Sequence, residues 1–534
     1  MRVLIRCDAS LAIGSGHVMR CRNLARALQL RGIEVLFLCR ERPGDLIALL
    51  AQEFEVLRLP ALSVSEPCPE GLEGRDVYGA WLGCSQSRDA DDCLKAIRLV
   101  ETGLIDWLVV DHYGLDQRWE RQICENLSEM DAKRPRLLVF DDLADRPHQA
   151  DVLVDSNRLE SSACEAYRSH VPASCRLLLG PAYAPLDSLY GELQPLAPQR
   201  CSLRRVLVFF GGVDQDNRTA VALQALGHPD VADLTVDVVL GTAAPHYPNV
   251  VKLVQQRPQT QLHSGLPSLA GLMLRADLAI GAAGTASWER AALALPTLVT
   301  PVAENQLQGA RALADAGAAL LIELDQPADP DDRILKAIKE MQKHPELLEE
   351  LSANAHSLGD GRGLARLLTT MLGPNLGLRL RSATAADEDL YLTWANEPEV
   401  RRQSFNQAII SLDQHRRWFR NRLRSPDALL RVLIDAEGLP LGQIRFERRA
   451  TEPARADIGF SLDPIARGHG LAPELLKLGI AELARLWGGE MDVYGEVRMS
   501  NPASASAFLR AGFVEGASPR QEVRCFKKSA STVL

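Results

Sequence analysis

Short apolar runs alternate with helix-like patterns along the start of the chain, and this alternation constrains the fold more than any other feature. Alternation of this kind is typical of a parallel sheet covered by helices. Residues 1–192 are therefore predicted to form a Rossmann-like half. Its predicted strands are Val3–Cys7, Glu34–Cys39, Asp106–Val110, Arg136–Phe140, Val152–Asp155 and Arg176–Leu179.

A proline-bearing stretch, residues 193–200, interrupts the pattern and is predicted to be an interdomain linker. The alternation then restarts, so residues 201–372 are predicted to form a second Rossmann-like half. A cleft between two such halves is a natural ligand site. The predicted strands here are Arg205–Phe210, Leu234–Leu240, Ala276–Ile280, Thr297–Thr300 and Ala319–Leu324.

After Gly373-Pro374-Asn375 the order of strands and helices changes, and antiparallel neighbours are expected. Residues 379–528 are therefore predicted to be a third, mixed α/β domain, which makes the whole chain α/β. Its predicted strands include Arg431–Ile434, Leu441–Phe446, Ala456–Leu462 and Val493–Arg498.

Composition narrows the class of protein. The chain has 534 residues, is 46% hydrophobic and carries a net charge of −9 without basic clusters, so no nucleic-acid partner is predicted. Its eleven scattered cysteines contain no CxxC pair, which favours reduced thiols over disulfides or a zinc site. No segment resembles a signal peptide or approaches the ~20 apolar residues of a membrane span. We expect a cytoplasmic protein with no membrane partner.

The first predicted strand leads into Gly14-Ser15-Gly16-His17, at the start of a predicted helix. The glycines allow a ligand close to the backbone, and a helix N-terminus suits a phosphate or an oxyanion. Its positive dipole end disfavours imidazolium, so His17 is expected to be neutral and available as a general base. The alternative is a surface or capping histidine beside an ordinary turn.

The second half contains a comparable loop, Gly284-Thr285, between a strand and a helix. Glu289 can accept hydrogen bonds from both ribose hydroxyls or simply offset the helix dipole. Asn305 and Gln306, at the start of the next helix, can bind a base or a phosphate or act as caps.

Further polar and aromatic residues follow predicted strands or lie in turns. Asp111-His112-Tyr113 and Asp141-Asp142 occupy positions where open α/β sheets place ligand contacts, although each acid is at least as compatible with helix capping. Tyr78 and Trp81 fall in a turn-rich segment, where they can contact a sugar or anchor the loop.

Asp214 and Asp216 form a DxD pattern that can hold a divalent metal against a diphosphate. They precede a predicted helix start, which favours capping. No metal is predicted.

In the third domain, a predicted strand ending at Leu462 precedes a glycine-rich loop and a helix running to about Trp487. Arg467 supplies positive charge, and the loop glycines expose backbone N–H groups at a helix N-terminus, which suits a diphosphate. The loop residues are Arg467, Gly468, His469, Gly470, Leu471 and Ala472.

Residues 1 to about 370 resemble the UDP-2,4-diacetamido-2,4,6-trideoxy-β-L-altropyranose hydrolases of pseudaminic acid synthesis, relatives of the GT-B glycosyltransferases. The resemblance implies that His17 takes a proton from the attacking water, with Gly14 and Gly16 near the sugar. It also implies that Gly284 and Thr285 hold the UDP diphosphate, that Tyr78 and Asn305 position the substrate and that Glu289 contacts the nucleoside. The segments that carry the resemblance are Arg6–Ser10, Gly16–Cys21, Tyr78–Gly83, Asp106–Tyr113, Asp141–Arg146 and Glu304–Gln306.

Residues 379 to about 528 are similar to the GNAT N-acetyltransferases. The R-x-x-G-x-A signature is present at Arg467, Gly470 and Ala472, and a later element runs from Asn501 to Phe513. The resemblance implies acetyl-CoA as cosubstrate, bound by Leu462, the loop from Arg467 to Ala472, and Asn501. Many members have a tyrosine that protonates the departing thiolate where this chain has Phe508, so the acid is water, another side chain, or unnecessary. Candidate bases for the amine are Asp457, Glu447 and Glu496.

In that pathway, acetylation of the 4-amino group of a UDP-sugar precedes hydrolysis, so one chain would carry two consecutive reactions. Two other classes stay open. The first 370 residues fit a glycosyltransferase with an acceptor other than water. The third domain also fits a protein or small-molecule N-acetyltransferase, or a degenerate CoA-binding module.

Overall fold

The computed structural model describes residues 1–62, 75–100, 103–131, 133–159, 163–323, 330–449, 452–488, 491–518 and 520–530. The chain forms two compact units, Met1–Leu364 and Ala365–Leu534. A helix, α15 (Gly363–Leu372), contains the boundary between them.

The first half of unit one is a seven-stranded parallel sheet in the order β3-β2-β1-β4-β5-β6-β7. Its strands are almost continuously apolar because helices cover both faces. The strands β1 to β7 are Arg2–Cys7, Glu34–Arg40, Glu55–Leu59, Trp107–Asp111, Arg136–Phe140, Val152–Asp155 and Arg176–Leu179. The helices α1 to α7 are Gly16–Gln29, Ile47–Leu50, Arg75–Leu82, Gln86–Arg98, Gln117–Asp131, Ala163–Tyr167 and Ser188–Leu193.

The second half repeats this plan with a six-stranded parallel sheet in the order β10-β9-β8-β11-β12-β13, which confirms the prediction of two Rossmann-like halves. The strands β8 to β13 are Arg205–Phe209, Thr235–Val239, Thr260–His263, Leu278–Ala282, Thr297–Thr300 and Ala319–Leu321. The helices α8 to α14 are Arg218–Leu226, Tyr247–Gln256, Ala270–Arg275, Ala286–Ala292, Glu304–Asp315, Pro330–Lys343 and Pro345–Leu358. The predicted end of the last strand, Leu324, lies outside the described residues.

The strand order reverses between β1 and β4 in the first sheet and between β8 and β11 in the second. Open α/β sheets bind ligands at the carboxyl ends of the strands beside such a reversal. The register pairs Cys7, the last residue of β1, with Asp111, the last residue of β4. The loop before His17 and the polar residues after β4 therefore begin side by side.

Unit two contains a seven-stranded sheet in the order β14-β15-β16-β17-β18-β20-β19, with the predicted antiparallel neighbours. Only β17 and β18 are parallel, and their pairing is confined to Arg455–Asp457 against Asp492–Tyr494, after which the strands part. The strands β14 to β20 are Arg379–Ser382, Ala428–Ile434, Pro440–Arg449, Glu452–Leu462, Met491–Arg498, Val514–Gly516 and Val523–Ala530. The helices α16 to α20 are Glu388–Asn396, Pro398–Gln403, Leu412–Arg424, Leu471–Trp487 and Pro502–Arg510.

One local expectation needs correction, and one segment is more ordered than its composition suggests. Tyr78 and Trp81 lie on helix α3, not in a turn. The predicted linker is anchored: it contains a short 3-10 turn, Gln194–Leu196, and Arg200 is buried. The Arg200 guanidinium donates hydrogen bonds to four backbone carbonyls of the second half, those of Met273, Ala276, Leu293 and Ala294.

A buried ion network adjoins the carboxyl end of β1. Arg6 donates from Nη1 to Asp8 Oδ1 at 2.6 Å and from Nη2 to Asp89 Oδ1 at 2.9 Å. Arg40 donates to the same Asp89 oxygen at 2.7 Å. Burial alone would raise the pKa of Asp89, but the two arginines hold it well below its usual range. The network joins α4 to β1 and β2.

We expect Asp89→Ala to destabilise unit one by about 3–5 kcal/mol, because two buried guanidinium groups lose a shared counter-charge. Urea unfolding followed by circular dichroism measures this loss. The control is Asp91→Ala on the exposed face of the same helix, where a change within about 0.5 kcal/mol is expected. Equal losses in the two variants would contradict the structural role of the network.

Candidate active site

His17 is the second residue of α1 and is 8% exposed. The preceding loop turns sharply: Gly14 has φ +80°, a conformation that favours glycine, and its N–H donates to the Ser10 carbonyl at 2.9 Å. The turn brings His17 over the end of β4, where its Nδ1 lies 2.5 Å from Asp111 Oδ1.

Arg20 fixes the Asp111 carboxylate from the other side. Its Nε donates to Oδ2 at 2.6 Å and its Nη2 donates to Oδ1 at 2.7 Å, a bidentate arrangement. Burial alone would raise the pKa of Asp111, but Arg20 and His17 hold it well below its usual range. An ionised carboxylate only accepts hydrogen bonds, so the proton of a neutral His17 belongs on Nδ1. Nε2 then carries the free lone pair, and no residue in the described ranges hydrogen-bonds to it.

The same arginine reaches a second acid. Arg20 Nη1 donates to Asp142 Oδ2 at 2.8 Å, and the Tyr113 hydroxyl donates to that oxygen at 2.5 Å. Asp142 follows β5, so Arg20 joins the ends of two neighbouring strands to α1. The Asp142 Oδ1 atom is buried without a partner in the described part of the chain.

Aromatic rings form a wall next to His17. Tyr113 meets the imidazole edge to face, with ring centroids 4.5 Å apart. Trp81 stacks on Tyr113 at 5.9 Å, and Tyr78 packs edge-on against both rings, at 5.3 Å from Tyr113 and 5.0 Å from Trp81. A wall of this kind suits the apolar face of a sugar ring.

The capping alternatives are resolved residue by residue. Asp111 and Asp142 do not cap helices, because both carboxylates accept hydrogen bonds from Arg20 instead. The residue that caps α5 is Asp116, which accepts from the Arg118 N–H at 2.9 Å. Asp141 accepts from the N–H groups of the turn that follows it, including Ala144 at 2.9 Å.

The capping prediction for Asp214 is confirmed. Its carboxylate accepts from the N–H groups of Arg218 and Thr219 at 2.9 and 2.8 Å. No group of three or more His, Cys, Asp or Glu side chains in the described ranges has an arrangement that could hold a metal ion. That no metal is needed stays a prediction. Among the same residues, no helix is long and apolar enough to cross a bilayer.

Residues of the second half face the His17 loop across the cleft. A Cβ atom added to Gly16 would lie 3.7 Å from the Thr285 hydroxyl oxygen. Burial raises the pKa of Tyr78, and the negative charge of Glu304, at the start of α12, raises it further. The structure therefore brings the predicted catalytic loop and the predicted diphosphate loop together.

The other predicted nucleotide contacts surround Gly284. The Gln306 amide nitrogen would lie 3.7 Å from a Cβ there, and Gln306 Oε1 accepts from the Val302 N–H at 3.2 Å. Asn305 is half-buried and has no hydrogen-bond partner among the described residues. Burial raises the pKa of the Glu289 carboxyl. Their roles toward a ligand stay predictions.

In unit two, Gly468 and Gly470 have φ +79° and +76°, and Gly470 is the N-cap of α19. These left-handed conformations require glycine and leave the first N–H groups of a 17-residue helix open. The guanidinium of Arg467, which is predicted to supply positive charge, pairs with Glu397 at 2.8 Å and donates to the Leu462 carbonyl at 3.1 Å. Its role toward a diphosphate stays a prediction. Backbone donors are thus the main feature of this loop.

The remaining loop residues have structural contacts. A Cβ at Gly373 would lie 3.1 Å from the carbonyl oxygen of His469. Leu471 is fully buried, and Ala472 follows it in the first turn of α19. Asn501 caps α20, accepting from the Ser504 N–H at 3.0 Å.

Phe508 lies in an aromatic cluster beside the point where β17 and β18 part. Its ring stacks on Phe526 at 5.1 Å and meets Phe513 edge-on at 4.8 Å. A Cβ at Gly495 would lie 2.4 Å from Phe508 Cζ, so the tip of the ring lies against the first residue beyond the last β17–β18 pair.

Each of the three candidate bases in unit two has an arginine partner. Asp457 pairs with Arg449 at 2.5 Å and Glu447 pairs with Arg422 at 2.9 Å. The Glu496–Arg520 distance is longer, 3.5 Å.

Arg20 and Asp111 are the functional residues whose partnership the sequence reasoning missed. The available signal was the spacing: Arg20 lies three residues after His17 and therefore on the same face of α1, next to the buried Cys21 and Leu24. A charged side chain on a core-facing helix position needs a buried counter-charge.

Comparison with known proteins gives two domain matches. Residues 377–514 match the family model of the acetyltransferase (GNAT) domain, and residues 230–365 match that of the glycosyltransferase family 28 C-terminal domain. Unit two thus contains a GNAT domain, and the second half of unit one is similar to a glycosyltransferase domain.

Three individual proteins extend these matches. The spore coat polysaccharide biosynthesis protein SpsG of Bacillus subtilis is 26% identical over 370 residues, 69% of this chain and 96% of that protein. The UDP-2,4-diacetamido-2,4,6-trideoxy-β-L-altropyranose hydrolase of Campylobacter jejuni is 25% identical over 218 residues, 41% of this chain and 62% of that protein. The solved MurG of Acinetobacter baumannii, 16% identical, covers 69% of this chain and 99% of its own with a TM-score of 0.44, too low to carry a conclusion. The sequence and domain matches fit the predicted fusion.

His112, beside Asp111, gives the site a testable acid sensitivity. Its Nδ1 accepts from the Gly114 N–H at 3.0 Å, and its Nε2 lies 3.5 Å from Asp8. Burial lowers the pKa of His112 to about 3, although Asp8 opposes the shift.

We expect His112 to lower the free energy of unfolding on acidification. Below about pH 6.5 the unfolded chain binds a proton at His112, whereas the folded chain does not bind it until about pH 3. The free energy of unfolding of His112→Asn should therefore rise relative to that of wild type by about 1.4 kcal/mol for each pH unit below 6.5. Urea unfolding at pH 5 to 7 measures the difference. The exposed His344→Asn is the control, and a pH-independent difference for His112→Asn would contradict the burial of a neutral imidazole.

Proposed function

We propose that the chain is a bifunctional enzyme of pseudaminic acid biosynthesis with three domains, residues 1–192, 201–372 and 379–528. The first two hydrolyse UDP-2,4-diacetamido-2,4,6-trideoxy-β-L-altropyranose to the free sugar and UDP. The third acetylates the 4-amino group of the precursor UDP-sugar from acetyl-CoA. The observation that carries the proposal is the Asp111–His17 pair, whose Nε2 is free beside the cleft that Thr285 faces.

In the hydrolysis step, His17 Nε2 accepts a proton from a water molecule as the water oxygen bonds to the anomeric carbon. The bond from that carbon to the UDP oxygen breaks, and its electron pair leaves with UDP. Asp111 stabilises the imidazolium that forms. Attack from the face opposite UDP inverts the anomeric centre.

The second half would hold the leaving group. Backbone N–H groups of the Gly284-Thr285 loop would bind the diphosphate, and Glu289 would accept from the ribose hydroxyls. Tyr78 and Asn305 would position the sugar, next to Gly14 and Gly16. The unpartnered amide of Asn305 and the aromatic wall around Tyr78 support these roles.

A glycosyltransferase is the second candidate for unit one, and the match of residues 230–365 to a glycosyltransferase domain favours it. The two candidates differ in whether water or another hydroxyl attacks. Incubating the UDP-sugar with the enzyme and no acceptor separates them: free sugar with stoichiometric UDP supports hydrolysis, and an unchanged UDP-sugar supports transfer.

In the acetyl transfer step, the loop from Arg467 to Ala472 would bind the acetyl-CoA diphosphate through backbone donors, with Leu462 and Asn501 beside the cosubstrate. The thioester would enter the gap where β17 and β18 part. The amine nitrogen bonds to the acetyl carbon and gives up a proton to water or to one of the candidate bases Asp457, Glu447 and Glu496. The C–S bond breaks, and its electron pair stays on the sulfur. Phe508 donates no proton, so the thiolate leaves as the anion or takes its proton from water; a free thiol has a pKa of about 8.5.

His17→Asn should lower hydrolysis by about 10²–10⁴-fold, because asparagine cannot accept the proton from water. Acetylation should be unchanged. Supplying UDP-4-amino-4,6-dideoxy-N-acetyl-β-L-altrosamine with acetyl-CoA and following both products measures the two steps in one assay. Hydrolysis retained at the wild-type rate would exclude His17 as the base.

Gly470→Ala should raise the KM for acetyl-CoA about tenfold, because an L-residue in the left-handed region costs about 1–2 kcal/mol and disturbs the loop. Hydrolysis should not change. Gly438→Ala is the matched control, since Gly438 has φ +87° with open space around it in another turn of the same unit. An equal KM for acetyl-CoA in the two variants would show that the loop does not bind the cosubstrate.

A further inference from the structure

The two faces of the unit-two sheet differ in character. Side chains alternate along β16, so Ile444 and Phe446 face α19, where a Cβ added to Gly479 would meet Ile444 at 2.3 Å. Gln443 and Arg445 project from the other face, against which α16 and α18 pack. The centre of this second face is polar where β17 and β18 part.

Arg445 lies at that centre, and no carboxylate among the described residues pairs with it: the nearest acid, Glu447, pairs with Arg422 instead. Its guanidinium packs over the Trp418 ring at 5.4 Å from the centroid. Within the described residues it has no hydrogen bond and no ion pair, and burial lowers its pKa. A half-buried cation with five unused N–H donors is costly unless a ligand or water satisfies it.

Gly459 makes room for this arginine. The register pairs Arg445 with Gly459, and a Cβ there would lie 3.0 Å from Arg445 Nε and 3.3 Å from Cζ. The guanidinium therefore lies flat over β17, two residues or about 7 Å beyond Asp457, the last β17 residue paired with β18.

A second unsatisfied polar group lies on the same face. Gln443 donates from Nε2 to the Ser461 hydroxyl at 3.2 Å, but its Oε1 is buried with no partner in the described part of the chain. Gln443 is two residues before Arg445 on β16, so both side chains project from the same side of the sheet.

Arg401 lies near Arg445, and Arg498 contacts the same serine as Arg401. Arg401 donates to the Ser404 hydroxyl at 3.0 Å, and Arg498 donates to the Ser404 carbonyl at 3.2 Å. Neither pairs with a carboxylate among the described residues. Burial lowers the pKa of Arg401, and the charge of Arg445 lowers it further, which indicates that the two cations are close. The charge of Glu447 also acts on Arg445, but Glu447 is already paired with Arg422, so cations are in excess around Arg445 and suit an anion.

We infer that Arg445, supported by the positive field of Arg401 and Arg498, binds the diphosphate of the acceptor during acetyl transfer, and thereby selects nucleotide-linked amines. This inference rests on the proposed function of unit two. In the proposed acceptor, the 4-amino group and the anomeric diphosphate lie at opposite ends of one pyranose ring. The diphosphate on Arg445 would leave the amine at the gap between β17 and β18, where the thioester enters. A guanidinium offers paired donors that match phosphate oxygens.

The test compares two acceptors on the full chain: the UDP-linked 4-amino sugar, and the same amino sugar without the nucleoside diphosphate. Arg445→Ala should raise the KM for the UDP-linked acceptor about 10- to 100-fold, the effect of losing a hydrogen-bonded charge. The kcat/KM for the free amino sugar and the KM for acetyl-CoA should not change. Arg445→Lys should recover part of the loss.

Two further variants separate the alternatives. Gly459→Ala should raise the same KM while keeping the charge, because its Cβ displaces the guanidinium. Arg424→Ala, at the exposed end of α18, is the control and should have no effect.

An equal loss with both acceptors would assign Arg445 to the stability of the sheet and overturn the inference, as would an unchanged KM. A raised KM for acetyl-CoA alone would show that Arg445 binds the cosubstrate and not the acceptor, and would also overturn the inference. If the wild-type chain acetylates no UDP-linked amine, the proposed function and the inference both fail. If wild type acetylates it and Arg445→Ala keeps the wild-type KM, only the inference fails.

Discussion

The Asp111 carboxylate is the group on which the arrangement of the first unit's candidate site depends. It lies at the end of β4, beside the reversal of strand order, and takes both a bidentate arginine and the imidazole of His17. Without Arg20 a buried acid here would favour its neutral form and donate a proton. With Arg20 it stays charged and accepts one, which decides the tautomer of His17. The chemistry proposed for the cleft follows from that single ionisation state.

Hydrophobic pattern predicted the sheets well. All six strands predicted in the first half agree with observed ones to within one residue at each end, because fully buried parallel strands are continuous apolar runs. The pattern failed at Tyr78 and Trp81, where a helix replaces the expected turn. Those rings pack against each other and against Tyr113, which follows β4, and no local period records such packing. The ion pair of Arg467 was not predictable for a related reason: its partner Glu397 lies 70 residues earlier in the sequence.

In the candidate site, too, some features were predictable from the sequence and others were not. Glycine loops at Gly14 and Gly470 were visible in the sequence because positive φ values demand glycine. The role of Asp111 was not visible in the sequence, because an acid that follows a strand can cap a helix as readily as it can bind a histidine. Only the register of β1 against β4 distinguishes these uses. Arg445 gave no sequence signal, because its surroundings are formed by the pairing of β16 with β15 and β17 and by Gly459 opposite it.

The nitrogen chemical shifts of His17 test directly whether Asp111 holds the imidazole proton on Nδ1. In histidine-labelled protein near pH 7.5, with His17→Asn to assign the signals, we expect a protonated Nδ1 and an unprotonated Nε2. Replacing Asp111 by asparagine should abolish this preference. A protonated Nε2 with a free Nδ1 in the wild-type protein would contradict the account, because the nitrogen proposed to accept the proton from water would already carry one.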